Sequence, residues 1–363
     1  MTDPKDVLEK IRKLGFDPKS KKAASYILND SQVYEQAAFE GFKDKLVILD
    51  INQAITAYPW VKEYMWTLVN KNKDEYTKKV FENMDGGYFI WIKKGANITL
   101  PLQTCLMVSS GNEQKVYNMI FVEEDADVKI VSGCTSEHQG SAMHIGVTEY
   151  FLKENSKLNF TMVHHWNELT TVKPRSAAVV EKDAHFTSNY VCLNPVKEIQ
   201  MYPVAYCKGE NSRTSFNSLI YSAGNSLMDT GFKVQLDGKD SKGEVISRTI
   251  SAEKGKIISR GILEGNIVSK AHLECKGLLI GKEAVLHAIP ELLSHTDEAD
   301  LSHEAAVGKI ADKEITYLMS RGMTEEEAVS LIIRGFMDVG IFHLPENLQK
   351  QIQGLMDQVS LES

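Results

Sequence analysis

Long apolar runs are the first thing this 363-residue sequence lacks: no stretch approaches the roughly 18 residues that a membrane-spanning helix needs. Its opening residues, MTDPKDVLEKIRK, are charged and amphipathic, without the apolar core of a signal peptide, so the chain reads as cytoplasmic, with no membrane partner. Basic excess is missing too, and a formal net charge of −8 argues against a generally basic nucleic-acid binder. Cysteine is sparse. The five thiols, Cys105, Cys134, Cys192, Cys207 and Cys275, are odd in number and form no C-x-x-C pair, which does not suggest a secreted disulfide framework. Each taken alone reads as a small buried apolar residue. Nucleotide and hydrolase signatures are absent as well. Without G-x-x-x-x-G-K-[S/T], any ATP chemistry belongs to a partner, and neither G-x-S-x-G nor H-E-x-x-H occurs.

What is present, 43% apolar and 25% charged residues, is ordinary for a soluble globular protein with ample chain to bury a core. Residues 1–84 read as a helical region. Val7, Ile11 and Leu14 recur at helical spacing before Gly15, Asp17-Pro18 starts a helix towards Leu28, and Pro59 opens another through Trp60, Tyr64 and Leu68. Tyr58, Trp60, Tyr64 and Trp66 read as a small helical core without chemistry. From about residue 85 short strands take over. A polar turn followed by alternating apolar residues begins near Lys94-Gly95, Asp125, Glu154-Asn155 and Lys182-Asp183, and appears again at Glu253-Lys254-Gly255. The first four units recur about every 30 residues, as coils of a β-solenoid would, although a sandwich or meanders fit the same period. From residue 302 to 363 the pattern is helical again. Ser302 suits the N-cap of a helix through Met319 ended by Gly322, and Thr324 with Glu327 a capping box for a second helix through Ile333 closed by Gly335. Pro345 suits the start of a third helix, with Leu348, Ile352, Leu355 and Val359 as its apolar stripe.

Residues 275–310 join the β-rich and helical regions and carry Cys275, His303 and Glu304. Thiolate, imidazole and carboxylate are all ligands for iron or zinc. The spacing is too wide for a local finger, so only the fold or a second subunit brings them together. On a strand, Leu273, Cys275 and Gly277 share one face and His272, Glu274 and Lys276 the other, which makes His272 a poor partner for Cys275. The Lys276 charge would favour the thiolate. In the first turn of a helix, Glu304 suits the dipole, and the same field favours the neutral, metal-binding ring of His303. Cys134, Cys192 and Cys207, and likewise His138, His144, His164 and His165, are placed by no spacing rule, and His164-His165 on a strand point to opposite faces.

The same stretch closely resembles the signature of the SufB/SufD family, scaffolds for iron–sulfur cluster assembly. Cys275 with Leu279-Ile280-Gly281, His303-Glu304-Ala305, and the run from Arg321-Gly322-Met323-Thr324 through Ser330-Leu331-Ile332 to Gly335-Phe336 carry it. Weaker matches at Gly86–Gly95, Gly133-Cys134-Thr135, Gly209–Arg213, Asp229-Thr230-Gly231 and Ser259-Arg260-Gly261 extend it over roughly residues 85–340. The resemblance implies a right-handed parallel β-helix over 85–301, flanked by N- and C-terminal helical regions, the latter docking a SufC-like ABC-type ATPase. It also implies that Cys275 receives sulfur from a donor protein and ligates a transient iron–sulfur cluster, with Glu304 and His303 as further ligands. One thiolate cannot hold a cluster that prefers four, so the expectation is a homodimer, or a heterodimer with a paralogue, bringing two ligand sets together. A SufD-like structural subunit needing a SufB-type partner is the alternative, and a carbohydrate-active β-helix enzyme a more distant one. The sequence says nothing on a flavin.

Overall fold

Five times between Asp125 and Asp240 the chain rounds the same corner, each time on an Asn or Asp with φ between 55° and 59°: Asp125, Asn155, Asp183, Asn211 and Asp240. These two residue types tolerate the left-handed region because their short polar side chains bond locally. Each corner N–H donates to the coil stacked on it, as from Asn155 to the Lys182 carbonyl at 2.9 Å and from Asp183 to that of Glu210 at 2.9 Å. Gly95, at φ 67°, is an earlier corner in the series. The expected repeat is therefore real and runs two coils further than the units read from sequence. Glu253 belongs to a different corner, stacked with Gly224 and bonded through its carboxylate to the Gly224 N–H at 2.9 Å.

The structure is a computed structural model and describes residues 21–137 and 140–337, together with 349, 350 and 354. Two sheets form the walls of a β-solenoid. The first runs from Gln32–Ala38 and Ala24–Asn29 through Leu102–Val108, Asp127–Ser136, Lys157–His165, His185–Cys192, Arg213–Ser222, Ser241–Ala252 and Ser269–Ile280 to Ala299–Lys309. The second begins at Leu46–Asp50 and Tyr88–Ile92 and ends at Val285–Ser294. Only the two strands at the N-terminal end, Gln32–Ala38 and Leu46–Asp50, pair antiparallel. The other named ladders among the described residues are parallel, as in Ser241–Ala252 with Ser269–Ile280. Inward residues from both walls, including Tyr88, Ile130, Phe160, Phe216, Leu263 and Leu273, form one continuous core.

Helices coat the solenoid from outside. Ile51–Ala57, Val61–Tyr64 and Glu75–Glu82 lie over the second sheet, where Trp60 meets Phe89, Trp91 and Phe121, and Tyr64 meets Phe121 and Phe151. The expected aromatic core is thus shared with the solenoid. Glu149, buried, clamps the connecting loop by accepting from the N–H groups of Trp66, Leu68 and Val69 at 2.6–2.8 Å. At the other end, Asp312–Met319 and Glu325–Phe336 follow the last strand. Ile333 and Met337 bury against Val163, Val191, Leu219 and Ile250 on the outer side of the first sheet.

Two helix expectations fail for one reason. Residues 24–29 extend a sheet, with Tyr26 and Leu28 in the core, and residues 299–309 form a strand in eleven-residue register with the Cys275 strand. In both places an open sheet edge outcompetes local helix signals. Ser302 is therefore no N-cap, and the helix starts at Asp312 after Ala311. The helix through Val61 is one turn long and stops at Tyr64. The Thr324–Glu327 capping box is present, and its helix passes Gly335 to end at Phe336. The expected helices around Val7–Leu14 and from Pro345 lie outside the described residues, as does His138.

Candidate functional site at the open end of the solenoid

In a parallel ladder, residues in register point to the same side. Cys275 is in register with Ser247 on one neighbour and Ala305 on the other, and Ser247 with Ser218. All face inward. Cys275 is 4% exposed and belongs to the main core, and the Ser218 hydroxyl donates to that of Ser247 at 3.0 Å. The column continues away from Cys275 through Tyr190, Met162 and Ser132 to Thr104. A chain of hydroxyl, aromatic and sulfur-bearing side chains thus leads through the core to the thiol. Burial pushes the Cys275 thiol up, while Ser259 on the opposite wall and Arg248 oppose that shift. Lys276 takes no part, because alternation sends it to the outer face, so the expected activation by that lysine is not found.

His303 is in register with Leu273, and Leu301, two residues before it, packs on the inner core. His303 therefore shares the inner face with Cys275, one strand over and diagonally placed. It is exposed because no further coil covers it. Glu304 is different. It is in register with Glu274 on the outer face, where its carboxylate lies 3.3 Å from Lys276 Nζ. Neither residue is on a helix, so the expected dipole effects do not apply. Within one chain, the structure brings Cys275 and His303 to one side of the sheet and leaves Glu304 on the other.

Sequence reading passed over the company Glu304 keeps. His272 and Glu274 stand beside it on the outer face, and one donor atom from each of the three lies within 4.8 Å of the others. The Glu274–Glu304 separation of 30 residues, one coil, was the available signal. Glu274 is opposed by burial but held below the usual carboxylate range by Lys276 and Arg248, the latter in close contact with it. A second internal column places Cys134, His164 and Cys192 on successive strands. His164 and His165 do point to opposite faces, with His164 buried. Cys207, also buried, meets Thr214.

Carboxylates also cluster at the left-handed corner, around Asp125, Glu154 and Asp183. Lysines neutralise that ridge: Lys94 meets Glu124 at 3.2 Å, and Lys182 meets Glu154 at 3.1 Å. The last coil is unlike the rest. Ala299–Lys309 pairs only with the Cys275 strand and Val285–Ser294 only with Lys256–Gly265, so both sheets end in unpaired edges. Val285, Leu292, Leu293 and Val307 are exposed there. Among the described residues, no helix is long and apolar enough to cross a membrane.

Comparison with known proteins agrees with this architecture. The family model for the SufBD core domain of the SUF system for FeS cluster assembly matches residues 106–336. An iron–sulfur cluster assembly SufBD family protein of Archaeoglobus fulgidus is 42% identical over 347 residues, covering 95% of this chain and 93% of its own length. One from Methanothermobacter thermautotrophicus is 40% identical, covering 98% of this chain and 88% of its own. The iron–sulfur cluster assembly protein SufB of Bacillus subtilis is 28% identical, with 94% of this chain and 75% of that protein covered. The likeness to relatives thus includes most of the first 84 residues, where sequence reading found no resemblance.

Proposed function

Because the chain belongs to the SufB/SufD family of iron–sulfur cluster assembly proteins, we propose that it is a cytoplasmic scaffold on which a cluster is built between two copies. The observation that carries the reading is the position of Cys275 and His303 on one face at the unpaired end of the solenoid, with Glu304 beside them on the edge strand. An unpaired edge strand is a template for another strand. The Val285–Ser294 edge is interrupted by Pro290, which has no N–H to offer, whereas Ala299–Lys309 contains no proline. Two-fold pairing through Ala299–Lys309 continues the first sheet across the seam and sets two copies of His303 and Glu304 there, each with Cys275 one strand behind.

The nascent cluster is the scaffold's cargo, held by mixed sulfur, nitrogen and oxygen donors that grip less tightly than four thiolates and so release it. The resting thiol is sealed, so assembly requires the end of the core to open. A SufC-like ATPase docked on the helices within 302–345 would drive that opening and admit sulfur from its donor. Anaerobic co-expression with such an ATPase tests the reading. The wild type carries iron–sulfur absorption, and Cys275→Ser and Glu304→Ala lose it with folding intact; a Cys275→Ser protein that keeps the full spectrum overturns it. Deleting 312–336 abolishes co-purification with the ATPase. The burial of Cys275 favours one second reading, a SufD-like subunit that forms no cluster alone but one when mixed with a SufB-type chain.

A further inference from the structure

Outside the sealed core, on the opposite face of the same two strands, His272, Glu274 and Glu304 offer one imidazole and two carboxylates. From these we infer a docking site for a single ferrous ion, complete within one chain. The inference rests on the reading that iron is this protein's substrate, and adds where the metal waits before it meets sulfur.

Three features of the geometry carry it. The donor atoms already lie within 4.8 Å of one another, and modest side-chain rotations close them to the roughly 3 Å separations of ligands on one metal. The imidazole is oriented. Ser302 Oγ lies 2.9 Å from His272 Nδ1 and 3.5 Å from the Ala271 carbonyl, so the hydroxyl proton goes to the carbonyl and Nδ1–H donates to Ser302. That leaves the Nε2 lone pair for a metal, the arrangement in which ligating histidines are held. Finally, a cation already bridges the two carboxylates: Lys276 Nζ sits 3.1 Å from Glu274 and 3.3 Å from Glu304.

Chemistry selects the ion. Nitrogen with carboxylate oxygen suits Fe²⁺ and Mn²⁺, whereas thiolate-preferring ions belong on the other face. Binding swings the Lys276 ammonium away, and Arg248 stays against Glu274 and limits the affinity, as suits an ion that is passed on. Glu304 is more than half exposed, so ion exchange with solvent is open from that side, while Glu274 anchors the site from a mostly buried position. Glu274 and Cys275 are consecutive residues, so the docked ion and the thiol are separated only by the thickness of one strand.

Anaerobic titration of the full chain with Mn²⁺, followed by electron paramagnetic resonance, tests the site, because Mn²⁺ prefers oxygen and nitrogen over sulfur. The expected result is one ion per chain with nitrogen hyperfine coupling. Cys275→Ser leaves binding unchanged. His272→Ala abolishes the nitrogen coupling and weakens binding roughly tenfold or more. The near-isosteric Glu274→Gln weakens binding without disturbing packing, and Lys276→Met tightens it. No stoichiometric Mn²⁺, or binding indifferent to both His272→Ala and Glu274→Gln, overturns the site. The two readings fail separately: a wild type that assembles clusters without this Mn²⁺ signal sinks the docking site alone, and Mn²⁺ binding by a chain that never assembles a cluster sinks the scaffold alone.

Discussion

Cys275 is a thiol whose reactivity is set by its surroundings. Inside the core its proton is hard to remove, so the isolated chain should resist iodoacetamide at neutral pH while the unfolded chain is fully labelled. Adding the ATPase partner with ATP should speed labelling of Cys275, as read by peptide mass spectrometry. Labelling of Cys275 in the isolated folded chain at the rate of a free thiol would contradict the sealed resting state. His144 makes a pH prediction. Buried against Trp166 and bonded to Gln114, it is pushed down to about 4 by burial. Unfolded, it takes up a proton near pH 6.5, so between 6.5 and 4 the unfolded chain binds more protons and stability falls with falling pH. The loss from this one residue is roughly 3 kcal/mol by pH 4. His144→Gln should flatten the pH dependence of urea unfolding over that window.

At the scale of elements, the corner residues explain both the regularity of the coils and how far it could be read. Asn155→Ala puts an ordinary residue at φ 58° and should cost about 1 kcal/mol, whereas Asn155→Gly should cost less, as urea midpoints would show. The 30-residue recurrence of Gly95, Asp125, Asn155 and Asp183 was legible because left-handed corners restrict residue type. Asn211 and Asp240 were missed because the strands between them lacked an obvious apolar alternation. The Thr324–Glu327 cap was legible because both of its bonds are local. Residues 24–29 and 299–309 were misread because their partners lie about 78 and 30 residues away in sequence, and only the lateral ladder shows that a strand is the better use of the chain. The site shares this limit. The alternation around Cys275 could be read directly, but the side of the sheet on which Glu304 falls depends on a register that no local pattern fixes.

For the whole molecule, the two ends of the solenoid are treated differently. At the N-terminal end both sheets are closed by antiparallel strands, and the pairing of Ala24–Asn29 with Gln32–Ala38 shifts register between Ile27 and Leu28, a bulge that blunts the edge. At the other end the last coil has neither cap nor bulge, and its apolar side chains stand in solvent. An edge left open beside the candidate ligands is the feature the scaffold reading uses, and it ties oligomeric state to chemistry. Val307, 42% exposed on the open strand and not itself a proposed ligand, is the position at which to separate the two copies. The most direct measurement is therefore on Val307→Lys, purified anaerobically with the ATPase, recording sedimentation and iron–sulfur absorption on the same sample. The account predicts a folded single copy of the chain without a cluster although Cys275, His303 and Glu304 are intact; a single copy carrying a full cluster would contradict it.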